Sequence, residues 1–152
     1  MSGQRRGRRI AMSAEELDVF LLSERTCRVA TARPGRGPHV TPLWFVWDGE
    51  SIWLNSLVTS RRWADVAVAP DVSVLVDAGD DYTELRGAEL VGRAVVVGEV
   101  PRAGAVVAEL AQPEELWSSK YRGGKGMAHD GHHGWLRVTP TRVVSWDFRK
   151  RG

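Results

Sequence analysis

The 152-residue sequence predicts a mainly β fold, an antiparallel barrel of six to seven strands with helices packed outside. Two observations carry this. Strand-like segments follow one another in pairs joined by short Gly, Pro or Asp turns, which builds hairpins and excludes a doubly wound parallel sheet. Hydrophobic residues make up 43% and charged residues 26%, so a chain of this length can bury a core without disulfides or metal.

The elements follow in order. Residues 1–11 read as a disordered basic tail, and 12–150 as one domain with no internal repeat or linker. Ser13-Ala14-Glu15-Glu16 is a capping box, and Leu17, Phe20 and Leu21 follow at helical spacing, so a helix is expected over 13–22. Thr26–Ala32, His39–Trp47 and Ser51–Ser56 form a three-stranded meander through the turns Pro34–Gly37 and Asp48-Gly49. Pro42 falls inside the second strand and marks an edge or a bulge. A short helix opens at Thr59-Ser60-Arg61-Arg62 and must end before Pro70. Val72–Asp77 is a fourth strand, and Tyr82–Glu99 one long strand bent at Gly87 or Gly92. Helical stretches are expected from Pro101 to about Ala111 and again from Pro113. Trp135–Val138 and Val143–Phe148 close the fold as a hairpin around Thr139-Pro140-Thr141.

Charge and motifs exclude several functions. Formal net charge is only +2, and Arg5, Arg6, Arg8 and Arg9 concentrate the excess in the tail. That arm reads as solvated chain rather than a nucleic-acid contact, and the domain itself is slightly acidic. No apolar run approaches the roughly 20 residues of a membrane helix, so neither nucleic acid nor membrane is an expected partner. The single cysteine, Cys27, sits in a strand pattern as a packed thiol, consistent with a cytoplasmic location. Dinucleotide-binding, P-loop and nucleophile-elbow motifs are all missing from the sequence. His129-Asp130-Gly131-His132-His133 has metal-ligand chemistry, but adjacent side chains of a Gly-rich loop rarely converge, so no metal is expected.

One site remains. Ser60, Arg61 and Arg62, with Thr59, stand at a helix start, where unpaired N–H groups and the helix dipole favour phosphate. The irregular strand Thr41-Pro42-Leu43-Trp44 upstream can offer backbone polar groups to the edge of a planar heterocycle.

From Ser13 to Lys150 the chain resembles the pyridoxamine-phosphate-oxidase-like split β-barrel superfamily, and within it the flavin/deazaflavin oxidoreductases of the B branch. Arg28–Ala32 with Pro38–Phe45, Ser60-Arg61-Arg62 with Pro70–Ser73, and Val143–Lys150 carry the resemblance. It implies a homodimer with cofactor grooves between subunits, Thr41, Pro42, Leu43 and Trp44 lining the ring, and Asn55 and Ser56 flanking it. It also implies that Ser60, Arg61 and Arg62 hold the phosphate; the family often has lysine at the position of Arg62. The expected cofactor is the deazaflavin F420, with FMN as the alternative. Lys120, Arg122 and Lys125 have no obvious structural role and would meet the anionic tail of F420. The expected activity is hydride transfer to a small organic substrate; a flavin- or F420-binding protein without turnover is the remaining reading. Seven tryptophans exceed what a small barrel interior encloses, so some are expected in a subunit interface.

Overall fold

A computed structural model describes residues 7–151. Ser13 caps the first helix, α1 (Ala14–Ser23), in a full capping box: its side chain accepts from Glu16 N–H and Glu16 returns to Ser13 N–H. β1 (Thr26–Arg33), β2 (Arg36–Trp47) and β3 (Ile52–Leu57) form the expected meander. α2 (Arg61–Val68) leads into β4 (Asp71–Ala78), followed by β5 (Arg86–Val97), α3 (Ala111–Tyr121) and β6 (His133–Asp147). All strands pair antiparallel in one closed barrel of order β1-β2-β3-β6-β5-β4. No helix among the described residues is long and apolar enough to cross a membrane.

Several local expectations change. Tyr82–Glu84 is a 3-10 turn, so the long strand starts only at Arg86. Residues 101–107 are irregular rather than helical, because the Arg102 side chain is drawn inward to Glu99, Glu114 and the carbonyl of Ala105. The closing hairpin does not form; β6 runs straight through 139–141. Its two halves both pair with β5, Gly92 opposite Pro140 and Val91 opposite Arg142, so the unpaired Thr141 is a bulge. Only glycine fits at 92, since a Cβ there would lie 2.6 Å from the Thr139 carbonyl oxygen. Of the expected tail, residues 1–6 lie outside the described residues. Arg8–Ile10 form a 3-10 turn, and Ala11 accepts a hydrogen bond from Lys150 Nζ.

Two cores result. The barrel interior packs Cys27, Val29, Val74, Leu90 and Val138 with Phe20 and Leu21 of α1. Burial pushes the Cys27 thiol up to about 12, as a packed, inert thiol requires. A second cluster outside the barrel joins Val46, Trp53, Val97, Leu110 and Trp135, with Trp117 and Tyr121 of α3 against it. That cluster takes up three of the seven tryptophans, Trp53, Trp117 and Trp135; Trp117 meets Trp135 edge-on at 5.7 Å, so α3 packs on rings outside the barrel.

Candidate functional site

β2 and β3 stay together for only three residue pairs, Phe45–Leu54, Val46–Trp53 and Trp47–Ile52. Beyond Trp44 and Asn55 they part. The Arg36–Trp44 segment then pairs only with β1, and Asn55–Leu57 only with β6. The edge foreseen from Pro42 is this stretch. A groove of about 510 Å³ opens in the divergence, lined by Pro42, Leu43 and Trp44 on one side and Asn55 and Leu57 on the other. Arg62 of α2 closes one end, and Trp117, Tyr121, Arg122, Met127, Ala128, Asp130 and His133 wall the other.

α2 places the cation. Ser60 caps it, accepting from Trp63 N–H at 3.1 Å. The next two arginines diverge. Arg61 turns outward, donating to the Gly37 carbonyl at 2.7 Å and lying 3.6 Å from Asp65. Arg62 turns inward and is 7% exposed. Its Nε donates to Ser56 Oγ at 3.1 Å and its Nη1 to Thr41 Oγ1 at 2.7 Å. No carboxylate among the described residues pairs with it, whereas Arg102, equally buried, has both Glu99 and Glu114. Burial without a counter-charge disfavours the charged form and lowers the Arg62 pKa. Nearby, Asn55 Nδ2 is buried with no acceptor. A groove holding an unpaired buried cation and an orphaned amide donor suits a ligand with an anionic group and acceptor atoms.

The aromatic wall comes from α3. Trp117 and Tyr121, four residues apart, share one helix face. Tyr121 stacks on Trp44 at 4.2 Å with planes 4° apart, and Arg25 lies 5.4 Å from the Trp44 ring. The Tyr121 hydroxyl accepts from Phe45 N–H and donates to the Arg25 carbonyl at 2.6 Å, tying α3 to β1 and β2. Burial raises the Tyr121 pKa and keeps this phenol protonated.

The eleven residues expected at the site therefore separate. Pro42, Leu43, Trp44, Asn55 and Arg62 line the groove, with Thr41 and Ser56 directly behind as partners of Arg62. Ser60 organises the helix start, Thr59 is exposed, and Arg61 faces the β1–β2 turn. Lys120 is outside the groove, and it does have a structural role. Its Nζ donates to the carbonyls of Leu21 and Phe45, both at 3.2 Å, and lies 3.9 Å from the Phe45 ring centre. Burial holds this amine down to about 8. The far wall, Trp117, Tyr121 and Met127, was not foreseen; its one legible signal is the four-residue spacing of Trp117 and Tyr121. Among the described residues no three His, Cys, Asp or Glu side chains gather as a metal site. His129 instead contacts Glu114 and His133 contacts Asp130.

These features define a class: a small β-barrel opened along one strand pair, with a cationic, aromatic-walled groove in the opening. The pyridoxamine 5'-phosphate oxidase family model matches residues 13–147, and the chain belongs to that family. A conserved hypothetical protein of Mycobacterium tuberculosis is 31% identical, with a TM-score of 0.78 over 99% of this chain and 93% of that one. A FAD-binding protein of Mycobacterium smegmatis is 20% identical (TM-score 0.66; 92% of this chain, 98% of that). An F420 reductase is 22% identical (TM-score 0.62; 84% of this chain, 94% of that). The last two share the fold. None of the curated proteins matches the chain.

Proposed function

We propose that the groove binds a phosphorylated flavin-type cofactor, and that the chain is an F420-dependent oxidoreductase acting on a small organic substrate. One observation carries the reading: Arg62, buried without a carboxylate, stands in the same groove as the orphaned Asn55 amide. A phosphate answers the first and the acceptor-rich edge of a flavin-type heterocycle the second. The bound cofactor supplies the hydride chemistry. The chain's own residues do the rest: Arg62 and the α2 start hold the phosphate, and Thr41–Trp44 offer an edge not paired to β3. Trp117 and Tyr121 wall off water. Arg122 at the groove supplies positive charge for an anionic tail.

FMN is the second reading, and one observation favours it: Lys120, expected to meet the tail, is committed to backbone carbonyls instead. A homodimer is part of the proposal, because Trp44 and Leu57 stand 43% and 44% exposed at the groove and a second chain would cover them. Titration of the full chain with F420, FMN and FAD, followed by fluorescence and by sedimentation, tests the reading. Tightest binding to F420 by a dimer is expected. Tighter FMN binding selects the alternative, and binding to none of the three removes the function.

A further inference from the structure

A second cavity, of about 210 Å³, lies between α1 and α3 and shares no lining residue with the groove. Its walls are apolar: Leu22 of α1, Leu116 of α3, and Val46 and Trp47 of β2. The Trp47 indole N–H is already engaged by Asp18 at 2.8 Å, so this ring asks nothing polar of a ligand. Ser119 and Lys120 complete the lining.

Lys120 brings the charge. Three contacts clasp its end of α3 to the link between α1 and β1: Lys120 Nζ to the Leu21 carbonyl, Arg25 Nη1 to the Lys120 carbonyl at 3.0 Å, and the Tyr121 hydroxyl to the Arg25 carbonyl. The two carbonyls that hold Nζ belong to Leu21 and Phe45, the residues immediately before Leu22 and Val46. The ammonium therefore stands where those two walls of the cavity meet. Its partners are the carbonyls and the Phe45 ring, and no carboxylate among the described residues pairs with it. Of the ionisable groups around it, Glu24 favours the charge, Arg25 opposes it, and Cys27 and Tyr121 stay protonated and neutral. Hydrogen bonding is thus met at Nζ while the charge is left without a partner.

We propose that this cleft is a ligand site for a small apolar monocarboxylate, whose carboxylate pairs with the Lys120 ammonium and whose hydrocarbon body lies against Leu22, Val46, Trp47 and Leu116. The volume is below the roughly 300–1,000 Å³ of pockets for drug-sized ligands, which limits the body to one ring or a short chain. A second anionic group would find no further cation in the lining, and an amine would be repelled by Lys120. The site stands whatever the groove binds, since no residue lines both.

Titration of the full chain with cyclohexanecarboxylate and with its neutral amide tests the assignment, followed by calorimetry and by the ε-carbon NMR signals of Lys120, Lys125 and Lys150. At neutral pH the acid should bind about 10-fold tighter than the amide and move the Lys120 signal alone. Burial holds the Lys120 amine down to about 8, so the preference should fade as pH rises past that value rather than past 10.5, and bound acid should push the Lys120 midpoint upward. Lys120→Met should erase the preference. Equal binding of acid and amide, an acid that leaves the Lys120 signal unmoved, or no saturable binding at millimolar concentration would each overturn the assignment. All three outcomes are read on the wild-type chain, whatever Lys120→Met does to stability.

Discussion

Replacing Arg62 by methionine separates stability from binding. In the ligand-free chain the guanidinium makes two charge-assisted hydrogen bonds, to Ser56 Oγ and Thr41 Oγ1, each contributing about 1.5–3 kcal/mol. Against them stands the desolvation of an unpaired charge that is 7% exposed, which costs several kcal/mol even after relaxation. The two nearly cancel. Methionine keeps most of the apolar stem, and Ser56 Oγ retains the Leu57 carbonyl as acceptor. Arg62→Met should therefore sit within about 1 kcal/mol of wild type, a Tm change of at most about 2–4 °C for a chain this size. Binding behaves differently. Losing a charge-assisted bond to phosphate removes about 1.5–3 kcal/mol, or about 10- to 100-fold in affinity. Urea denaturation of the ligand-free protein and cofactor titration measure the two arms. A variant destabilised by more than about 2 kcal/mol with unchanged affinity would make Arg62 a structural cation and refute the reasoning.

Three further changes probe the frame around the groove. Glu114→Gln should destabilise by about 2–4 kcal/mol in urea, because buried Arg102 loses its bidentate carboxylate and keeps Glu99 as its one counter-charge among the described residues; a change near zero would refute the pairing. Lys120 is held down to about 8 from 10.5, so between those pH values the unfolded chain binds the proton more readily than the folded one. Wild-type stability relative to Lys120→Met should accordingly rise across that window, and a flat or falling difference would contradict the burial of Nζ. Gly134→Ala should cost about 1–3 kcal/mol and weaken cofactor binding, since its Cβ would meet the Trp63 ring at 2.7 Å and push α2 away; thermal melts and titration check both.

The barrel was legible because most of its information is local. Capping box, turn residues and alternating strands each act over a few positions, and α1, β1, β2, β3 and β4 form within one to three residues of the expected bounds. The misreadings fall where a distant partner decides. Thr139-Pro140-Thr141 has turn chemistry, but β5 offers Gly92 opposite Pro140 and absorbs Thr141 as a bulge, so the strand continues. Residues 101–107 have helix-compatible sequence, but Arg102 finds Glu114, twelve positions away, and the segment stays irregular. Trp53, Trp117 and Trp135 also pack together at α3, which no local pattern announces.

At the groove the same division has a functional consequence. Residues 41–44 and 62 could be placed from the strand edge and the helix start, and residue 55 from the family resemblance, whereas the far wall depends on how α3 docks, which Tyr121 decides through Phe45 and Arg25. The docking and the divergence of β2 from β3 meet at one point. Trp44 would otherwise continue the ladder opposite Asn55; instead its ring stacks on Tyr121, and the side-chain amide of Asn55 stands in the opening without an acceptor. Strand separation therefore creates the opening, and the Asn55 and Arg62 side chains line it. A ligand that engages both Arg62 and the Asn55 side chain would bridge α2 and β3 where the β2–β3 ladder stops, so binding should stabilise this barrel most at the β2–β3 edge, where amide exchange would slow first.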